Sequence, residues 1–294
     1  MSGATETTPS AGAIPAARRL RWTWWLAVAV VLYALVVGLF AIFQRRLVYH
    51  PTRLTPSVAQ QAARDSGFEE WRGPNGQPFG WKRRSRLAQP WGQVLVMHGN
   101  AGWAIRRRDF TATLQSMAAV DVYLLEYPGY GSRPGEPTQS GLYQAAAEGL
   151  LALPTNLPVY VIGESLGTSP ACYAAGTHPS RVAGVLLIAP FANLAAVAQR
   201  HYPWLPVRWL LRDPFPSAAY LRGYHGPLAV WLAGRDTVVP REFGKELFSG
   251  YTRPKQLWEF PDAAHHTLTD RRAMDWEQVI DFWLRHPIAR NPAR

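Results

Sequence analysis

Six short apolar runs, spaced by helix-compatible segments, constrain this chain more than any other feature. They are residues 93–97 (QVLVM), 120–125 (VDVYLL), 158–162 (PVYVI), 182–188 (VAGVLLI), 227–232 (PLAVWL) and 256–260 (QLWEF). Each is continuously apolar or nearly so, as a strand covered on both faces requires. Between them, residues 107–119, 140–153, 168–177, 240–250 and 272–285 have helical spacing or composition. Strand alternating with helix predicts an α/β domain with a parallel sheet and helices on both faces. Segments around residues 47–50, 67–73 and 77–83 are expected to add antiparallel edge strands. Residues 191–225 break the alternation with four prolines and the aromatics Tyr202, Trp204, Trp209 and Tyr224. They are read as a small helical cap over the site, the alternative being a long crossover packed on the sheet.

Ahead of this domain (residues 45–294) lie two different segments. Residues 1–21 are small and polar at first, then basic at Arg18, Arg19 and Arg21, and read as a disordered basic tail. Residues 22–44 carry no charge and are almost wholly apolar. At about 1.5 Å per residue they reach across a hydrocarbon core of roughly 30 Å. Trp22, Trp24 and Trp25 fall where an interfacial aromatic belt would lie, and Arg45 and Arg46 close the other end. The run exceeds a signal-peptide core and is apolar on every face, so a single-pass transmembrane anchor in the cell inner membrane is expected. The flanking arginines nearly balance, with a slight lean to a cytoplasmic N-terminus.

The chain is 48% hydrophobic, enough for a full core, and its single cysteine, Cys172, excludes an internal disulfide. No Cys/His cluster has zinc spacing, and neither metal nor cofactor is expected. The net charge is +11, nearly all of it arginine, and scattered. One run of three arginines is Arg106, Arg107 and Arg108. No nucleic-acid module accompanies the charge, so the arginines read as a solvated basic surface beside an anionic bilayer. Nothing in the pattern sets an oligomeric state.

The chemistry centres on residues 163–167, Gly-Glu-Ser-Leu-Gly. An apolar strand precedes them and a helical segment follows, so a sharp turn would lift the Ser165 hydroxyl clear of the sheet, with Gly163 and Gly167 keeping the turn free of side chains. The bland alternative is an incidental turn serine. A serine needs a base, and His265 and His266 lie beyond the last predicted strand in Phe-Pro-Asp-Ala-Ala-His-His. The base needs an acceptor. Asp236 ends the strand PLAVWLAG, while its rival Asp262 reads as a turn residue close to the histidines. A tetrahedral oxyanion needs two N–H donors, expected from Leu166 and, in the loop His98-Gly99-Asn100-Ala101-Gly102, from Asn100. His98 is expected to brace that loop.

These pieces resemble the α/β-hydrolase superfamily, and within it the membrane-anchored branch of bud-emergence-type hydrolases. The matching stretches are RRLVYHP, VMHGNAG, YPGYGSRPGEPTQSGLY, GESLGT, LLIAPFANL, HYPWLPVRWLLRDPF, AGRDTVVP and the segment around His265. The resemblance implies an eight-stranded, mostly parallel sheet, a triad of Ser165, Asp236 and His265, and an oxyanion hole at Asn100 and Leu166. It departs where the family has Gly-x-Gly-His: here Ala263-Ala264 precede His265, and His266 follows it. Thr168 stands where many relatives have glycine, and Pro128 where they have arginine. The implied reaction is acyl transfer to water, with a carboxylic ester of a small molecule or lipid favoured over a thioester or peptide. A non-catalytic membrane scaffold is the rival from another class.

Overall fold

The computed structural model describes residues 16–87 and 89–288, with side chains described from Trp22 onward. The chain divides into two compact units, Met1–Gln44 and Arg45–Arg294.

The described residues of the first unit all belong to one helix, α1 (Ala16–Val48). From Trp22 to Val48 it is long and apolar enough to cross a membrane, by length and composition. The helix starts earlier than the apolar run and takes in residues 16–21, where the composition predicts a disordered tail. Ala-Ala-Arg-Arg-Leu-Arg is a strong helix-forming sequence, so the turn simply propagates through it. Residues 1–15 of the expected tail lie outside the described residues.

In the second unit the elements are β1 (His50–Pro51), α2 (Pro56–Asp65), β2 (Glu69–Arg72), β3 (Pro78–Arg83), β4 (Gly92–Met97), β5 (Ala101–Gly102), α3 (Arg108–Met117), β6 (Val120–Leu125) and α4 (Gln139–Ala152). There follow β7 (Val159–Glu164), α5 (Thr168–Thr177), β8 (Val182–Ile188), α6 (Leu194–His201), α7 (Val207–Leu210), α8 (Ser217–Leu221), β9 (Leu228–Ala233), α9 (Arg241–Gly250), β10 (Lys255–Phe260) and α10 (Ala273–Arg285). Eight strands form one sheet in the order β10-β9-β8-β7-β4-β6-β3-β2. Six pair in parallel, while β3 runs antiparallel to both β6 and β2.

All six apolar runs are strands of this sheet, and two of the three expected edge strands are β2 and β3. The run at 256–260 is corrected in one respect: β10 ends the sheet with only one neighbour and has no fully buried residue, so it is not covered on both faces. The third expected edge strand is also corrected. Residues 47 and 48 finish α1, and His50–Pro51 pairs in parallel with Ala101–Gly102 as a separate two-stranded ribbon. Helix α2 was not anticipated; Pro56 opens it after an extended Thr55, a normal first-turn use of proline.

Strand side chains alternate between two cores. In β9, Leu228, Val230 and Leu232 face one core with Leu142, Leu150 and Leu247, and Ala229, Trp231 and Ala233 face the other with Phe110, Leu114 and Trp276. Helices α4, α5, α8 and α9 cover the first face; α2, α3 and α10 cover the second. With both faces sealed, the polar chemistry is left to the loops at the carboxyl ends of the strands.

Candidate active site

Strand β7 ends at Glu164, and Ser165 follows with φ of 51°, in the left-handed region. For a residue with a Cβ this backbone costs about 1–2 kcal/mol, so the surroundings must hold it. They do so by close approach. A Cβ on Gly163 would sit 2.7 Å from the Gly167 carbonyl oxygen, and one on Gly167 would sit 2.2 Å from that of Met97. The turn is thus wedged against the end of β4 with no room for side chains at either glycine. Thr168 Oγ1 donates to the Ser165 carbonyl at 2.6 Å and starts α5.

His265 arrives from the loop after β10, at the same carboxyl end of the sheet. It follows β10 in a 3-10 turn, His265–Thr267, and its Nε2 lies 3.0 Å from Ser165 Oγ. Its Nδ1 lies 2.7 Å from Asp236 Oδ2. The network assigns the tautomer: Nδ1–H donates to the carboxylate, and Ser165 Oγ–H donates to Nε2. Asp236 follows β9, and its other oxygen accepts the N–H of Val238 at 2.9 Å and of Val239 at 2.8 Å. Those two amides fix the plane of the carboxylate. Ser165 and Asp236 are buried, and the His265 side chain is 15% exposed. The rivals lie elsewhere: Asp262 pairs with Arg235 on the surface, and His266 is exposed.

The loop after β4 abuts the serine. A Cβ on Gly99 would come within 3.4 Å of Ser165 Cβ. Asn100 follows, held by its side-chain Nδ2 donating to the Val48 carbonyl (3.0 Å) and by its own carbonyl, which accepts from Tyr130 Oη (2.8 Å) and from the His50 N–H (2.9 Å). Among the described residues its N–H has no hydrogen-bond partner. Leu166 is the second residue of the turn after β7, where helical N–H groups have no partner within the helix. His98 braces the same loop. Its Nδ1 lies 2.8 Å from the Gly99 carbonyl, and the Tyr127 hydroxyl donates to its own carbonyl at 3.1 Å. His98 Nε2 is 3.3 Å from Glu126 Oε1, yet too poorly aligned to count as hydrogen-bonded.

One feature of the site escaped the sequence reading. Arg107, read as part of a solvated basic run, is only 12% exposed and grips Glu164, the residue before Ser165, with two nitrogens. Burial works to raise the Glu164 carboxyl, but attraction and hydrogen bonds from Arg107 outweigh it and hold the group below its ordinary range. Burial likewise opposes the charge on Arg107, and Glu164 overrides it upward. The one signal in the sequence is an acid between Gly163 and Ser165 with arginines after the His-Gly loop, and no periodicity rule exposes that pairing.

The irregular segment 191–225 forms α6, α7 and α8. A Cβ on Gly176 of α5 would meet the Tyr220 carbonyl at 1.9 Å, so α8 lies directly on α5. At the other end, His201 Nε2 is 2.9 Å from the Val238 carbonyl, on the same loop as Asp236.

An uncharacterized protein of Mycobacterium tuberculosis is 34% identical to this chain over 246 residues, spanning 81% of this chain and 85% of that one. The lysophosphatidylserine lipase ABHD12 of Danio rerio is 28% identical over 213 residues, 64% of this chain and 54% of that protein. Among solved structures, the esterase PF2001 of Pyrococcus furiosus superposes with a TM-score of 0.61 at 18% identity, covering 81% of this chain and 98% of its own. The alpha/beta hydrolase family pattern matches residues 94–293, which span the serine turn, the acid and the histidine. The chain belongs to the alpha/beta hydrolase family.

Proposed function

We propose that this chain is a serine hydrolase cleaving carboxylic esters, with Ser165 as nucleophile, His265 as general base and acid, and Asp236 as the acceptor that orients it. The observation carrying the proposal is the continuous relay from Ser165 Oγ through the His265 ring to Asp236, with the serine on a strained turn. Ser165 Oγ attacks the ester carbonyl carbon while its proton passes to His265 Nε2. Asp236 stabilises the imidazolium through Nδ1–H. The N–H groups of Leu166 and Asn100 receive the oxyanion. The imidazolium returns its proton to the leaving alkoxide, giving alcohol and acyl-enzyme. Water then attacks the acyl carbon with His265 taking a proton, and collapse frees the acid and restores Ser165.

Arg107 and Glu164 keep the end of β7 in place under the nucleophile. Three further readings belong to the same proposal. The apolar helix anchors the protein in a membrane as a single span, in the manner of the bud-emergence-type branch. Residues 191–225 cap the site. The substrate is an acyl or lipid ester, in keeping with the lipase and esterase names of the relatives. Fluorophosphonate labelling of the full chain tests the centre of this: wild type should label and Ser165→Ala should not. Equal labelling of the two would refute the assignment. A parallel panel of ester, thioester and peptide substrates should give turnover on the ester; turnover on the peptide alone would overturn the substrate class.

A further inference from the structure

We propose that the exposed aromatic and arginine face of residues 200–212 rests on the bilayer that holds α1, and that the ester cleaved at Ser165 is drawn from that bilayer. The inference rests on the hydrolase and anchor readings above and adds the surface that docks and the source of the substrate.

The face is unusual in composition. Trp209 is 91% exposed, Trp204 51% and Tyr202 39%, while Leu205 and Val207 between them are buried and hold the segment to the domain. The segment is therefore folded, and it presents its aromatics outward. Arg200, Arg208 and Arg212 are interspersed with them and exposed. Over residues 191–225 four arginines (200, 208, 212 and 222) face a single acid, Asp213. Indole and phenol rings mixed with guanidinium groups suit the boundary between acyl chains and phosphates, where a ring lies half in hydrocarbon and a cation meets anionic headgroups.

Chain connectivity says which surface is available. The uncharged run ends at Gln44, and the next residue, Arg45, donates through Nε to Asp213 Oδ2 at 2.9 Å. Asp213 is buried, and its other oxygen accepts the Gln139 N–H at 3.2 Å, so it is fixed to the start of α4. Phe215 is held to the same helix by its N–H donating to Gln139 Oε1 at 2.6 Å. Arg45, the first residue of the second unit, is thus tied to Asp213, four residues along the chain from Trp209. The same face borders the site, because His201 meets the Val238 carbonyl and Val238, two residues past Asp236, is itself 44% exposed.

The test uses the full chain in nanodiscs containing phosphatidylglycerol. Cys172 is the one cysteine and is fully buried, so a Trp209→Cys variant takes a thiol fluorophore at one place. Glu277→Cys, exposed on α10 of the opposite layer, is the comparison. Brominated acyl chains should quench the label at position 209 several-fold more than the label at 277. In kinetics, Trp209→Glu should lower hydrolysis of a monoacyl phospholipid in the disc about tenfold and leave a water-soluble acetate ester within twofold of wild type. Equal quenching at both positions, or an equal effect of Trp209→Glu on both esters, overturns the docking surface. Trp209-dependent self-association in place of quenching assigns the face to a second copy and also overturns it. Loss of acetate hydrolysis from the wild type, by contrast, strikes the hydrolase reading itself.

Discussion

Replacing Asp236 with asparagine changes one atom pair and should nearly silence the enzyme while leaving the fold in place. The Val238 and Val239 amides both donate to Oδ1, so the asparagine oxygen must occupy that position. Its NH2 then faces His265 Nδ1, where the native carboxylate accepts at 2.7 Å. An NH2 there donates to Nδ1 and drives the ring proton to Nε2. His265 then cannot take the Ser165 proton. The flipped asparagine would restore the right tautomer, but it would leave the buried Val239 N–H and the part-buried Val238 N–H without an acceptor at about 1–3 kcal/mol each, roughly 2–6 kcal/mol in all. At about 1.4 kcal/mol per decade, the competent orientation is populated at roughly one part in 30 to one part in 10⁴. Lost stabilisation of the imidazolium adds to this, so kcat/KM should fall about 10³- to 10⁴-fold. Both amide hydrogen bonds survive in the inactive orientation, so the melting midpoint should move by no more than about 4 °C. Steady-state hydrolysis of a chromogenic butyrate ester, with melting followed by circular dichroism, measures both quantities. Activity within tenfold of wild type, or collapse of the fold, would refute the reasoning. The matched control is Asp262→Asn, whose side chain is 89% exposed and should leave the rate within twofold.

The strain at Ser165 predicts that Ser165→Gly melts above Ser165→Ala, because glycine adopts φ of 51° freely; the gap should be about 1 kcal/mol, or 2–4 °C for a domain of this size. Gly167→Ala would place a methyl 2.2 Å from the Met97 carbonyl, so it should cost about 3 kcal/mol or more and abolish fluorophosphonate labelling. Arg107→Met leaves Glu164 buried without its partner and should cost about 3–5 kcal/mol in denaturant unfolding near pH 7. The Glu164 carboxyl is held below its unfolded value, so its contribution is complete above about pH 4.3 and is lost as pH falls through the depressed native value. Glu164→Gln should therefore flatten the acid limb of the stability–pH curve, read by urea unfolding at a series of pH values, and an unchanged limb would contradict the pairing.

Much of this protein was written locally in the chain. The strands are legible because a strand covered on both faces must be apolar throughout, and runs such as VAGVLLI satisfy that without reference to anything distant. The turn at Ser165 is legible for a similar reason: two glycines around a serine, between strand and helix, is a local steric requirement. Chain order then restricted the acid to the end of one strand and the base to the loop after another. The sequence left Asp236 against Asp262, and His265 against His266, because each pair lies within a few tens of residues and nothing local says which one faces the serine. Only the parallel register of β7, β8, β9 and β10 brings residues 165, 236 and 265 to one edge, and it turns Asp262 and His266 outward. The grip of Arg107 on Glu164 and of Arg45 on Asp213 was hidden for the same reason. A salt bridge across 57 or 168 residues leaves no trace in spacing, since the chain between its ends can be rearranged without changing either residue. What the sequence determined by itself was the six parallel strands, the helices between them and the chemical inventory; α2, the pairing of residues 50–51, and which charges are buried against which partners were decided by the packing of the tertiary structure.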